Sequence, residues 1–288
     1  MISSKTNPAV KQIRALRHRK EREESGLFFI EGVRIVGEAA ETGADIHTCV
    51  FAPELLTSRF GQDTVATLRA AAVPCLEVTR SVFDSISLKE GPQGIGAVVH
   101  QCWERLPAIV PADELCWIVL GSVQDPGNLG TILRTADAVG AAGVILLGHS
   151  TDPYDPATLR GSMGAIFSQR LVRATLYEIS AWKDRHTVCI VGASDGADAD
   201  YRSLPYDRPV ALFMGSERQG LSAEQQAQCD VMARVPMMGR SDSLNLAVAT
   251  GVMLYQIFSR HHPLTERRAP EAVASLQTKQ RSAGPESP

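Results

Sequence analysis

Arg234-Val-Pro-Met-Met-Gly-Arg-Ser-Asp-Ser-Leu-Asn-Leu-Ala-Val-Ala-Thr-Gly-Val-Met-Leu-Tyr-Gln-Ile-Phe-Ser-Arg260 joins an apolar strand end, a Pro- and Gly-containing loop and a long apolar helix with no spacer between them. A loop pinned on both sides can hold a ligand. The spacing predicts a helix from near Ser243, with Ser241, Asp242 and Ser243 all able to cap it, running through Leu244, Val248, Gly251, Val252, Tyr255 and Phe258. Apolar residues also fill its other faces (Leu246, Ala247, Ala249, Met253, Leu254, Ile257), so it is expected to be buried nearly all round, by its own domain and a second subunit.

Upstream of this stretch, strand patterns at Cys116–Leu120, Gly143–Leu147, Arg170–Val172, Thr187–Val191, Val210–Met214 and Val231–Val235 alternate with helical ones at Leu129–Val139, Pro156–Ala165, Leu176–Lys183 and Ser222–Gln228. Cys116-Trp-Ile-Val-Leu120 is apolar throughout, as in a parallel strand covered on both faces. The pattern is doubly wound α/β over residues 115–262. Residues 1–100 alternate strands and helices as a smaller α/β domain. Residues 101–114, with Pro107 and Pro111 and little periodicity, read as a linker. Residues 263–288 lack apolar periodicity and read as a disordered tail.

Composition narrows the class. With 44 % hydrophobic and 21 % charged residues the chain can form large cores. No apolar run approaches the roughly 18 residues that span a bilayer, and the start does not resemble a secretory signal, so a cytoplasmic location is expected. The six cysteines show no Cys-x-x-Cys and no paired His spacing, so no metal is expected. A net charge of −3 argues weakly against a nucleic-acid partner, but local distribution outweighs the sum. Asn7 to Arg22 carries Lys11, Arg14, Arg17, Arg19, Lys20 and Arg22 above Val10, Ile13 and Leu16, a helix with a packed face and a cationic one.

In open α/β sheets ligands bind beyond the carboxyl ends of strands, so residues that follow strands are informative. Gly121 to Arg134 follows the first strand of the larger domain; Asn128 there reads as a helix cap, and Arg134 lies among Ile132, Leu133, Ala136 and Ala138. The Gly-x-Gly-x-x-Gly fingerprint of a nicotinamide dehydrogenase is absent. Gly215-Ser-Glu217-Arg-Gln-Gly220-Leu-Ser222 follows another strand; its glycines suit a turn and Ser222 a capping box, but no turn requires Glu217. Met237 and Met238 alone would read as core residues.

Together, Asn128-x-Gly130-x-x-x-Arg134, Gly215-x-Glu217-x-x-Gly220-Leu221 and Pro236-Met237-x-Gly239 with Ser243-Leu244-Asn245 resemble the SpoU/TrmH family of S-adenosylmethionine-dependent RNA ribose 2′-O-methyltransferases. Asn7-Pro8-x-Val10-Lys11, Phe29-x-Glu31-Gly32 and Gly94–Val99 resemble its L30e-like substrate-binding domain. Ala247 stands where many members carry serine, and Arg160-Gly-Ser-Met-Gly-Ala165 is similar to a family segment near the active site.

The resemblance implies a homodimer and a deep trefoil knot in the C-terminal domain, and periodicity would not suggest the knot. It implies S-adenosylmethionine held at Gly215, Val235, Met237 and Leu244, and catalysis by Arg134, Asn128, Glu217, Ser243 and Asn245. Arg134 would act as base or as a fixed cation; a guanidinium pKa above about 12 favours the cation. RNA is the implied partner, ribosomal before transfer RNA, with Arg14 and Arg17 as phosphate contacts. The alternatives are a tRNA 2′-O-methyltransferase, a knotted base methyltransferase, and a non-catalytic RNA-binding or ribosome-assembly factor on the same fold.

Overall fold

The computed structural model describes residues 1–262; the disordered tail expected at 263–288 lies outside the described residues. In the first half, α1 (Pro8–Ala15), α2 (Arg19–Ser25), β1 (Leu27–Glu31), α3 (Val33–Glu41), β2 (Ile46–Phe51), α4 (Arg59–Ala70), β3 (Cys75–Glu77), α5 (Arg80–Ile86) and β4 (Ile95–His100) follow the expected alternation. Their strands form a sheet of order β1-β4-β2-β3. β4 runs antiparallel to both neighbours, while β2 and β3 are parallel.

The single cationic helix expected over Asn7–Arg22 is two helices, broken between the caps Leu16 and His18. Three of its six cations are internal anchors. Arg14 donates through Nε to Ser85 O (3.3 Å), and Arg17 donates through Nη2 to Ser85 O (2.9 Å) and Ser87 O (3.1 Å). These carbonyls end α5, where unpaired acceptors and the helix dipole favour cations. Arg22 is buried and donates to Leu16 O and Arg17 O, which holds the break.

The second half comprises β5 (Trp117–Gly121), α6 (Pro126–Val139), β6 (Gly143–Leu147), α7 (Pro156–Ser162), β7 (Arg170–Ala174), α8 (Leu176–His186), β8 (Cys189–Ala193), β9 (Ala199–Asp200), β10 (Val210–Met214), α9 (Ala223–Gln226), β11 (Val231–Arg234) and α10 (Leu246–His261). Its seven strands lie in the order β7-β6-β5-β10-β8-β11-β9, and every neighbouring pair is parallel. Every residue of β5, β6 and β10 is buried, as expected for strands covered by helices on both faces. Only β9 was unforeseen; two residues are too few to show a period. β10 comes late in the chain yet lies between β5 and β8, so the loops leaving β5 and β10 emerge side by side. That reversal of strand order is where α/β sheets open a ligand crevice.

Residues 101–114, expected as a linker, are packed. Glu104 bridges to Val172 and takes both Nε and Nη2 of Arg170 at 2.7 Å, and Trp182 Nε1 donates to the carbonyl of buried Ile109. The two sheets share one core. Phe28 of β1 packs on Tyr154 with ring centroids 4.5 Å apart, and the Tyr154 hydroxyl donates to Cys102 O and accepts from Cys102 N. Across the same junction, Arg22 Nε donates to Asp152 Oδ2 at 2.8 Å with both side chains buried. No helix among the described residues is long and apolar enough to cross a membrane.

Candidate active site

α10 starts three residues later than expected. Its cap is Asn245, whose Oδ1 accepts from Ala247 N (2.9 Å) and Val248 N (3.3 Å); Ser243, expected to begin the helix, is exposed and reaches only Asp242. Because Oδ1 of Asn245 must face its own helix, Nδ2 points away, and it donates to Asn128 Oδ1 at 2.9 Å. That acceptor role turns Asn128 Nδ2 toward Glu217 Oε1 at 3.1 Å. One chain of hydrogen bonds therefore joins residues drawn from all three loops, with its polarity set by the cap at one end and a carboxylate at the other.

Glu217 also accepts from the backbone N–H of Gln124 (3.2 and 3.1 Å) and of Asp125 (3.1 Å). Partial burial would raise its pKa, but donation by Asp125 N–H, the Asn128 amide and Gln124 N–H outweighs that and holds it below the usual carboxylate range. Asp125, which sequence reasoning missed, is the true cap of α6 and accepts from Asn128 N at 2.8 Å. Asp followed by Pro126 at the first helical position was a legible signal. Asn128, expected as the cap, sits in the first turn with its side chain free for the network.

Beside the network lies a cavity of about 370 Å³ beyond the carboxyl ends of β8, β10 and β11. Gly215, Val235, Met237 and Leu244, the four expected cofactor contacts, all line it, as do Glu217 and Ser243. Its rear is apolar, from Met214, Leu246 and Met253, and its walls include Asp195 and Asp242. Gly215 is obligatory. The next residues fold back through paired bonds between Ser216 and Gly220, and a Cβ on Gly215 would stand 2.0 Å from Gly220 C. An apolar floor with carboxylates suits adenosine with a cationic sulfonium, and the volume suits a ligand of that size.

Arg134 is not drawn into this network. It is exposed on α6, contrary to what its apolar neighbours suggested: Ile132, Leu133 and Ala136 face inward, while Arg134, Asp137 and Ala138 form a solvent stripe. The adjacent Thr135 meets Gly251 of α10, whose outer face, expected to be buried, leaves Val248 and Tyr255 each 52 % exposed. Arg14 and Arg17 lie far along the chain from the network, with guanidinium groups bonded to the end of α5.

Residues 116–255 match the SpoU rRNA Methylase family, and residues 7–97 match the MRM3-like substrate binding domain. The chain is 31% identical to a 23S rRNA (guanosine(2553)-2'-O)-methyltransferase of Bacillus subtilis (strain 168), over 89% of this chain and 98% of that protein. The chain belongs to the SpoU family. Another relative, a 23S rRNA (uridine(2479)-2'-O)-methyltransferase of Streptomyces viridochromogenes, is 30% identical over 84% of this chain and 85% of its own length. Among solved structures, an AdoMet-bound rRNA methyltransferase from Sinorhizobium meliloti superposes with a TM-score of 0.83 at 38% identity, covering 92% of this chain and 98% of that one. This SpoU member thus has its polar network at the sheet's point of reversal, with the cavity beside it at the ends of β8, β10 and β11.

Proposed function

We propose that this SpoU protein transfers the methyl group of S-adenosylmethionine to a ribose 2′-hydroxyl of RNA, ribosomal RNA before transfer RNA, in the cytoplasm. The observation that carries the proposal is the bonded series Asn245–Asn128–Glu217 on the edge of the cavity. It gathers the three family motifs at one place.

When bound, S-adenosylmethionine supplies an electrophilic methyl group. The backbone around Gly215, Val235 and Leu244 holds its adenosine, with Met237 as a side wall, and the carboxylates Asp195, Glu217 and Asp242 complement its positive charge. Asn128, fixed at both ends of its amide, and Ser243, exposed on the cavity wall, orient the ribose for in-line attack. Arg134 stabilises the developing alkoxide as a cation, while the proton leaves to phosphate or water. Since Arg134 is exposed next to the uncovered apolar side of α10, we assign that face to a homodimer and place Arg134 in a site completed by a second copy. The knotted path of the family accompanies this assignment.

The test incubates the protein with methyl-labelled S-adenosylmethionine and either 23S rRNA or tRNA transcripts, then maps 2′-O-methylated nucleotides. Label in a ribose of 23S rRNA is expected. Label in a base, or binding without any transfer, would overturn the assignment. Arg134→Lys should retain part of the turnover and Arg134→Ala should lose most; equal, wild-type-like rates would remove Arg134 from the mechanism.

A further inference from the structure

Two stretches that this mechanism leaves unused, Phe29-x-Glu31-Gly32 and Arg160-Gly-Ser-Met-Gly-Ala165, border one cavity of about 310 Å³ between the two sheets. On one wall, Gly32 has φ 115°, and a Cβ there would meet Lys89 Nζ at 2.8 Å. Lys89 Nζ donates to Glu31 O at 2.8 Å, so the lysine is folded over the glycine. On the other wall, α7 lies directly on α6: a Cβ on Gly130 would meet Thr158 O at 2.6 Å and Gly161 Cα at 2.9 Å. That close backbone approach seats Arg160 and Met163 on the cavity side of α7, one helix away from Asn128.

The lining combines three cations, Arg34, Lys89 and Arg160, with Leu88 and Met163, which are 44% and 43% exposed. The cavity thus has an apolar part and a cationic part side by side. The occupant therefore offers a flat apolar face and an anion. A nucleotide has both, whereas free phosphate has only the anion. Resting on the RNA reading above, we propose that this cavity receives one unpaired nucleotide of the RNA substrate, close in the strand to the one methylated. The base lies against Leu88 and Met163, and its phosphate lies between Arg34 and Arg160. Unpaired bases splayed onto protein surfaces are the usual basis of RNA selectivity, and guanidinium pairs suit phosphate.

The experiment measures binding of a fluorescent single-stranded RNA octamer of mixed sequence to the full chain across a salt series. Variants are Arg34→Ala, Arg160→Ala, the double variant, and Arg59→Ala as an exposed control away from the cavity. Losing the one phosphate held between Arg34 and Arg160 should lower the slope of log affinity against log salt by about 0.7. The double variant should show that full loss and each single variant part of it, the control should lose nothing, and S-adenosylmethionine affinity, read by calorimetry, should stay at the wild-type level in all four. A double variant with wild-type slope and affinity overturns the proposal. If that variant also methylates RNA normally, only the cavity assignment fails. If the slopes fall as expected but the wild type methylates no ribose, the cavity assignment stands and the methyltransferase reading fails.

Discussion

Asn128 uses both ends of its amide, accepting from Asn245 and donating to Glu217, so its orientation is determined without any substrate. Replacing it by aspartate removes the donor and sets a second carboxylate against Glu217. Asn128→Asp should lower methyl transfer about a hundred-fold or more, a cost of roughly 3 kcal/mol for a lost charge-assisted bond plus repulsion. Asn128→Ser, which keeps a donor, should lose less; equal losses would deny the network its orienting role. Glu217 adds a pH dependence with a definite sign. Its folded-state pKa is depressed, so its contribution to stability is complete above about pH 4.3, the ordinary glutamate value, and disappears as pH falls through the lower folded value. Comparing acid unfolding of wild type and Glu217→Gln should show the two curves converging only at the acid end. A difference that opens instead toward alkaline pH would refute the assignment.

At the scale of elements, the turn after β10 is the most constrained part of the site. Gly215→Ala would drive a methyl group into the backbone of Gly220, so the 216–220 turn must open. Overpacking of this kind costs about 1–3 kcal/mol, and cofactor affinity should fall about ten- to hundred-fold. Calorimetric titration with S-adenosylmethionine reads this directly, and unchanged affinity would separate the turn from the cofactor site. The α10 helix has two distinct sides. Leu246, Thr250, Met253, Leu254 and Ile257 are buried against its own domain, while Val248 and Tyr255 are exposed. If that second side joins two copies, Val248→Asp with Tyr255→Asp should yield a monomer by sedimentation velocity with its helix content intact. A double variant that sediments like the wild type would exclude this face as the interface.

At the scale of the molecule, the two sheets are held together by the shared core and by the buried pair Arg22–Asp152. Arg22→Met leaves Asp152 buried beside Asp155 without its cation and should destabilise the protein by about 3–5 kcal/mol. Adding Asp152→Asn should recover part of that loss. Thermal unfolding of the single and double variants checks this, and a single variant as stable as the wild type would show that the junction does not depend on the pair. Because the cavity bordered by Glu31 and Arg160 spans the same junction, a firm junction also keeps that cavity's two walls in register.

Local signals were enough for most elements. Continuous apolar runs give buried parallel strands, so Trp117–Gly121 and Val210–Met214 could be placed from their residues, as could the loops that leave them. The three motifs carried the family and much of the lining of the cavity beside the network, because each follows a strand and such loops converge at a sheet's carboxyl end. Helix starts were less legible. Asp125 and Asn245 outcompeted nearby Asn128 and Ser243 as caps, since several polar residues in a row can each cap and only the path of the loop decides among them. Cationic character was legible but its use was not: Arg14, Arg17 and Arg22 look like a free basic face, yet they satisfy carbonyls and a carboxylate that the chain delivers from 68 to 130 residues away or from its own backbone turn. Sequence by itself determined which segments form buried strands and which loops line the cavity, because these follow from local pattern. Only the tertiary structure decided the bonded order Asn245–Asn128–Glu217, the exposed setting of Arg134 and the second cavity, because each depends on contacts between segments that the chain order keeps apart.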